Sequence, residues 1–157
     1  MKRILLHGFI LAGILSPATT IAEDKVSFGI GSGALYNGLG VNISFMKESD
    51  LKYLSLGCIA IGYSSNNGVS SNCGVGAGWM RSDILSENDK HGLGIHIGVT
   101  YNTHNDRNDT EAFIGIPYLY FFKGMTAGGW NVGLTPIIGK NGGETKGGLL
   151  LNLGYQF

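Results

Sequence analysis

"GGLLLNLGYQF", residues 147–157, puts Leu149, Leu151, Leu153, Tyr155 and Phe157 on one parity and Leu150, Asn152, Gly154 and Gln156 on the other. Alternation with a period of two is strand geometry, because successive side chains of a β-strand point to opposite faces. The stretch closes on an apolar ring. A strand that stops there needs something apolar outside the sheet to hold its last side chain, and lipid would serve.

The same alternation recurs upstream. Leu39, Val41, Ile43 and Phe45 alternate with Gly40, Asn42, Ser44 and Met46; Leu93, Ile95, Ile97, Val99 and Tyr101 alternate with Gly92, Gly94, His96, Gly98 and Thr100; Trp130, Val132, Leu134 and Pro136 alternate with Asn131, Gly133 and Thr135. Eight segments of this kind can be marked, at 25–34, 39–47, 52–63, 69–82, 91–101, 111–122, 128–139 and 147–157. The chain is 43% hydrophobic and only 14% charged, and it carries 27 glycines, which weaken helix interiors. In a soluble sandwich the second parity would face water and carry charge. Here it is mostly Gly, Ser, Asn and Thr, small enough to fill a narrow barrel. The pattern predicts an all-β fold, an eight-stranded antiparallel up-and-down transmembrane β-barrel. An even strand count returns both termini to one side. Met46, His96, Asn131, Asn152 and Gln156 are expected to fill much of the lumen.

Residues 1–22 have a charged start (Lys2, Arg3), an apolar run from Ile4 to Leu15 and a small-residue exit at Thr20-Ile21-Ala22. This is the anatomy of a secretory signal peptide, and its apolar run is too short to span a bilayer. Residues 23–157 are then one outer-membrane β-barrel domain, placed in the cell outer membrane of a Gram-negative bacterium. The formal charge of zero turns slightly negative once Lys2 and Arg3 are gone. No nucleic-acid partner is expected from such a balance. Outer-membrane lipids, the assembly machinery and periplasmic chaperones are the expected partners.

The stretch Leu149 to Phe157 resembles the C-terminal assembly signal of small bacterial outer-membrane barrels, with Leu151, Leu153, Tyr155 and Phe157 carrying the likeness. Tyr36, Tyr53, Tyr63, Trp79, Tyr101, Tyr118, Tyr120, Trp130 and Tyr155 fall near expected strand ends, where interfacial aromatic girdles lie. With both termini periplasmic, the outer connections are Leu35–Gly38, Ser64–Gly68, Asn102–Thr110 and Lys140–Lys146. All are short, which disfavours an adhesin. Asn102–Thr110 reads as a solvated tip, and the spacing of Asp106, Asp109 and Glu111 matches no known calcium loop. Neither a metal nor a cofactor is expected.

Cys58 and Cys73 flank the Ser64–Gly68 turn almost symmetrically, so a hairpin centred there sets them opposite one another. In an oxidising compartment they are expected to form one structural disulfide that pins strand register.

Pro117 in "FIGIPYLYFF" and Pro136 in "VGLTPIIGK" each remove a ladder donor from a strand. On neighbouring strands they define a candidate lateral gate. Here, with "HGLGIHIGVT" and the ending Gln156-Phe157, the C-terminal half resembles the lipid A palmitoyltransferase family, eight-stranded outer-membrane enzymes whose proline-weakened strands admit phospholipid. The resemblance implies acyl transfer with lateral lipid access near Pro117 and Pro136. The family's active groups do not carry over. Where its histidine lies this chain has Leu35-Tyr36-Asn37-Gly38, where its Asp-Ser pair lies it has Ser64-Ser65, and its amphipathic helix has no counterpart. Ser64, Ser65, His104 and Asp106 are the groups a hidden catalytic set would draw on, and His96 sits on the lumen parity. No catalytic residue is assigned. A structural or lipid-interacting barrel is favoured over an enzyme, and over a narrow pore because eight strands leave little lumen.

Overall fold

The computed structural model describes residues 25–64, 68–104, 107–141 and 144–157. Its strands are β1 Lys25–Ser32, β2 Leu39–Lys47, β3 Asp50–Ser64, β4 Gly68–Arg81, β5 His91–His104, β6 Arg107–Gly115, β7 Tyr118–Phe121, β8 Gly129–Asn141 and β9 Glu144–Gln156. All pairings are antiparallel between strands adjacent in the chain, save that β6 and β7 pair with β5 and β8 and not with each other, and β1 pairs with β9, which closes the sheet. β6 and β7 are two pieces of one stave, both laid between β5 and β8. The result is an eight-staved, up-and-down barrel, as the alternation required. The expected signal peptide, 1–22, lies outside the described residues.

Parity sorts the side chains. Phe28, Ile97, Leu149 and Leu151 point outward and stay exposed, while Ser27, Asn42, Ser44, His96, Thr100, Asn131 and Asn152 are buried in the lumen. The expected lumen fillers Met46, His96, Asn131, Asn152 and Gln156 are all buried. The end that holds Lys25 and Phe157 is called the near end below, and the opposite end, towards which β3, β5 and β8 run, is the far end.

Two of the far connections are shorter than the sequence suggests. Asn102, Thr103 and His104 pair with Asp109, Asn108 and Arg107, and Lys140 and Asn141 pair with Thr145 and Glu144. Polar residues prolong these ladders because backbone pairing needs no apolar side chain. The third correction is larger. Leu35–Gly38 is not an external loop. Ala34–Tyr36 form a single 3-10 turn folded into the barrel, where Ala34, Leu35, Tyr36 and Asn37 are all 0% exposed. Gly33 (φ 102°) and Gly38 (φ 96°) permit the reversal on either side, a backbone region that favours glycine.

Candidate functional site

The lumen is built in three layers. At the near end Met46, Leu51, Met80, Leu119 and Phe121 from the strands meet Met125 from the connection before β8, and Leu35 from the inward turn joins them. This apolar floor seals the barrel. The Met125 N–H donates to the Asp89 carbonyl (2.6 Å), and the Thr126 hydroxyl donates to its carboxylate (3.3 Å), tying the two near-end loops together.

Above the floor lies a polar layer centred on Tyr36. Its hydroxyl accepts from Asn131 Nδ2 (2.9 Å), and its ring lies where a side chain on Gly154 would stand. Asn152 Oδ1 accepts from the Ala34 N–H (2.6 Å) while Asn152 Nδ2 donates to Thr135 Oγ1 (2.9 Å). Gln156 Nε2 donates to Asn42 Oδ1 (3.2 Å), and Asn42 Nδ2 to the Leu35 carbonyl (3.1 Å). The inward turn is therefore a plug, hydrogen-bonded to both ends of the strand sequence. Across the lumen the Tyr53 hydroxyl meets His96 Nδ1 at 3.0 Å, with the rings stacked. A Cβ on Gly76 would lie 2.5 Å from His96 Cε1, 2.8 Å from Asn37 Oδ1 and 2.9 Å from Ser55 Oγ. Asn37 Oδ1 and Nδ2, Ser55 Oγ and His96 Nε2 have no protein partner, so this corner gathers unsatisfied polar atoms.

The third layer is a cavity of about 150 Å³ towards the far end. Thr100, Glu111, Phe113 and Ile137 form its walls, and the exposed Lys146, Gly147 and Gly148 stand at its mouth. Asn72 Nδ2 donates to Glu111 Oε2 (3.4 Å). Asn72 Oδ1 and Thr100 Oγ1 are buried without a protein partner.

A gap in the wall leads to that mouth. β1 pairs with β9 only from Gly29↔Gln156 to Ser32↔Leu153, whereas β9 begins at Glu144. β2 meets β3 only from Leu39↔Cys58 onward, whereas β3 runs to Ser64. Because the chain turns inward at Gly33, no described strand stands between the outer reaches of β9 and β3. The β1-facing edge of β9 up to Asn152 thus has no ladder partner among the described residues. This notch is invisible to sequence periodicity, since it arises from a loop folding the unexpected way.

The other sequence-marked residues fall as follows. Cys58 and Cys73 are direct cross-strand partners and form the disulfide, on the outer face of the β3–β4 hairpin beside a register shift at Ile59. Pro117 lies in the break between β6 and β7, and Pro136 lies in β8 opposite Ile116. Each proline carbonyl accepts, Pro117 from the Gly94 N–H and Pro136 from the Ile116 N–H, both at 3.1 Å. An antiparallel pair of this kind exchanges two bonds, and each proline lacks the reciprocal donor. Register is nonetheless unbroken across the interruption, with Gly115 on His96 and Tyr118 on Leu93. Phe157 remains 70% exposed, held through its N–H to the Phe28 carbonyl (2.7 Å) and edge-on to Tyr155. Tyr36 and Tyr53, expected in the aromatic girdle, are lumen residues instead. Trp79, Tyr101 and Trp130 do face outward. The side chains of Tyr63, Ser64, Ser65, His104 and Asp106 lie outside the described residues. Among the described residues no three His, Cys, Asp or Glu side chains gather as metal ligands.

The chain matches no protein-family model, no curated protein and no solved structure. Function must be argued from the site itself.

Proposed function

We propose that this chain is an integral outer-membrane β-barrel of a Gram-negative bacterium, with a structural or lipid-interacting role exercised through its outer wall and its lateral notch. One observation carries the reading: the outer face is a continuous apolar belt. Phe28 and Ile30, Leu39 and Val41, Leu54 and Leu56, Val75, Ile95 and Ile97, Ile114, Leu134, and Leu149 and Leu151 are exposed on successive staves. Keeping one such side chain in water instead of an apolar medium forfeits about 1.5–3 kcal/mol, and contiguous apolar patches beyond a few hundred Å² are rare on soluble monomers. Barrel closure supports the same reading, because in lipid a sheet must satisfy its backbone groups internally. Trp130, Tyr155 and Phe157 meet edge-to-face at the near end, where an interfacial aromatic belt belongs. The plug supports a closed barrel over a pore, since Tyr36 and the apolar floor fill the lumen.

The expected outcome is a heat-modifiable protein that resists alkaline carbonate extraction from outer membranes and gives a β-type circular dichroism spectrum in detergent. A monodisperse, detergent-free protein in the carbonate supernatant would overturn the reading.

The acyltransferase alternative rests on Pro117 and Pro136 as a lipid gate. Its readout is lipid A itself: a mass spectrum unchanged by the presence of the protein removes it, and an added acyl chain establishes it.

A further inference from the structure

We infer that the far-end cavity is a binding site for a single sugar ring, neutral and rich in hydroxyl groups, which enters sideways through the notch between β9 and β3. The inference names the ligand class for the lipid-facing reading above and rests on it only for the source of the sugar.

Size comes first. A cavity of about 150 Å³ lies well below the 300–1,000 Å³ typical of sites for larger organic ligands. One six-membered ring fits where an extended acyl chain does not. Glycines keep the space open: a Cβ on Gly148 would stand 3.3 Å from Ile137 Cγ1 and project into the mouth.

The walls have the chemistry of a polyol site. Thr100 is 1% exposed, and its Oγ1 has no protein partner; Asn72 Oδ1 is a second buried acceptor without a donor. Buried polar atoms left unpaired cost free energy that a ligand hydroxyl recovers. Two such atoms line one cavity together with the Glu111 carboxylate; Asn72 Oδ1 and the carboxylate call for donors, and the Thr100 hydroxyl takes either role, which a ligand hydroxyl satisfies. Phe113, Ile59 and Ile137 supply apolar faces between them, suited to the C–H faces of a sugar ring. Phe113 is itself backed by the plug, because its ring and Asn37 Oδ1 both crowd the place a side chain on Gly98 would take. Among the described residues charges of both signs stand at the mouth: Lys146 lies 3.7 Å from Glu144, and Glu111 and Lys140 also line the cavity.

The same ring could arrive as a free saccharide or as the headgroup of a glycolipid held at the notch, and the test separates the two. The full mature protein in a sugar-free detergent is titrated with methyl glucoside and followed by saturation-transfer NMR. In a second arm it is incubated with vesicles carrying an alkyl glucoside or with phosphatidylethanolamine vesicles alone. About thirteen heavy atoms in methyl glucoside, at about 0.3 kcal/mol each, set an expected Kd of about 1 mM for the free sugar. Thr100→Val, which removes the hydroxyl and keeps the shape, is expected to weaken binding at least about fivefold without lowering thermal stability. Gly148→Leu, which fills the mouth, is expected to abolish it. Binding of free sugar that is weakened by Thr100→Val and abolished by Gly148→Leu supports a saccharide site, and binding only of the lipid-borne sugar, with the same response to the variants, supports a headgroup site. No saturable binding in either arm, or binding indifferent to both variants, overturns the inference and leaves a water-filled cavity. Carbonate extraction is run on the same preparations, so a failure of the membrane reading is seen separately from a failure to bind sugar.

Discussion

Asn152 shows how much one lumen side chain controls. Its carboxamide oxygen accepts from the Ala34 N–H at 2.6 Å and its nitrogen donates to Thr135 at 2.9 Å, so it fastens the plug to β9 and braces β8. Asn152→Ala leaves a buried amide N–H without an acceptor, and the expected loss is about 1–3 kcal/mol, read as a lower thermal midpoint in heat-modifiability gels. An unchanged midpoint would mean that the plug is held by Tyr36 and Leu35 alone. The inward position of Asn152, like those of Asn131 and Gln156, was legible in the sequence because parity fixes the face. Tyr36 and Tyr53 were not. An aromatic residue near a strand end satisfies a girdle or a lumen equally well, and only the tertiary arrangement decides between a lipid interface and a partner such as Asn131 or His96.

At the scale of the element, the β6–β7 interruption invites a direct test. Replacing Pro117 and Pro136 by Ala supplies the two missing donors, opposite Gly94 and Ile116, in a register that is already correct. Each restored bond is expected to add about 0.5–1.5 kcal/mol, so the double variant should melt later in detergent. Should the prolines gate lipid, acyl-chain retention by mass spectrometry falls in the same variant; a variant with neither change makes them local breaks only. The Cys58–Cys73 bridge spans 15 residues, a separation for which chain entropy gives about 3 kcal/mol. Cys58→Ser with Cys73→Ser should lower the urea midpoint and leave the spectrum unchanged. Strand cores were readable from alternation, and the cysteine pairing from symmetry about the turn. The extents were less readable: Asn102–Thr110 is polar throughout, and backbone pairing beyond the apolar zone leaves no trace in side-chain type.

For the molecule as a whole, strand count and closure were legible, while the notch and the plug were not, since both depend on where a short loop between two glycines goes. Deletion of Phe157 is expected to reduce outer-membrane insertion more than it lowers the melting point of protein already folded, because the ring is exposed on the outer wall and stands edge-on to Tyr155. Equal insertion yields for wild type and variant would remove Leu151, Leu153, Tyr155 and Phe157 as an assembly signal. The plug also sets a timetable. It touches β1, β2, β3, β4 and β9, elements from opposite extremes of the chain. Made first and seated last, it has no acceptor for the Ala34 N–H until the final strand arrives. An open sheet of the first seven staves would hold the turn only from one side, through Asn42 and Asn131, and would lack its Asn152 anchor. Closing the wall and completing the plug's hydrogen bonds are thereby coupled, since the strand that shuts the sheet also brings Asn152 to the Ala34 N–H.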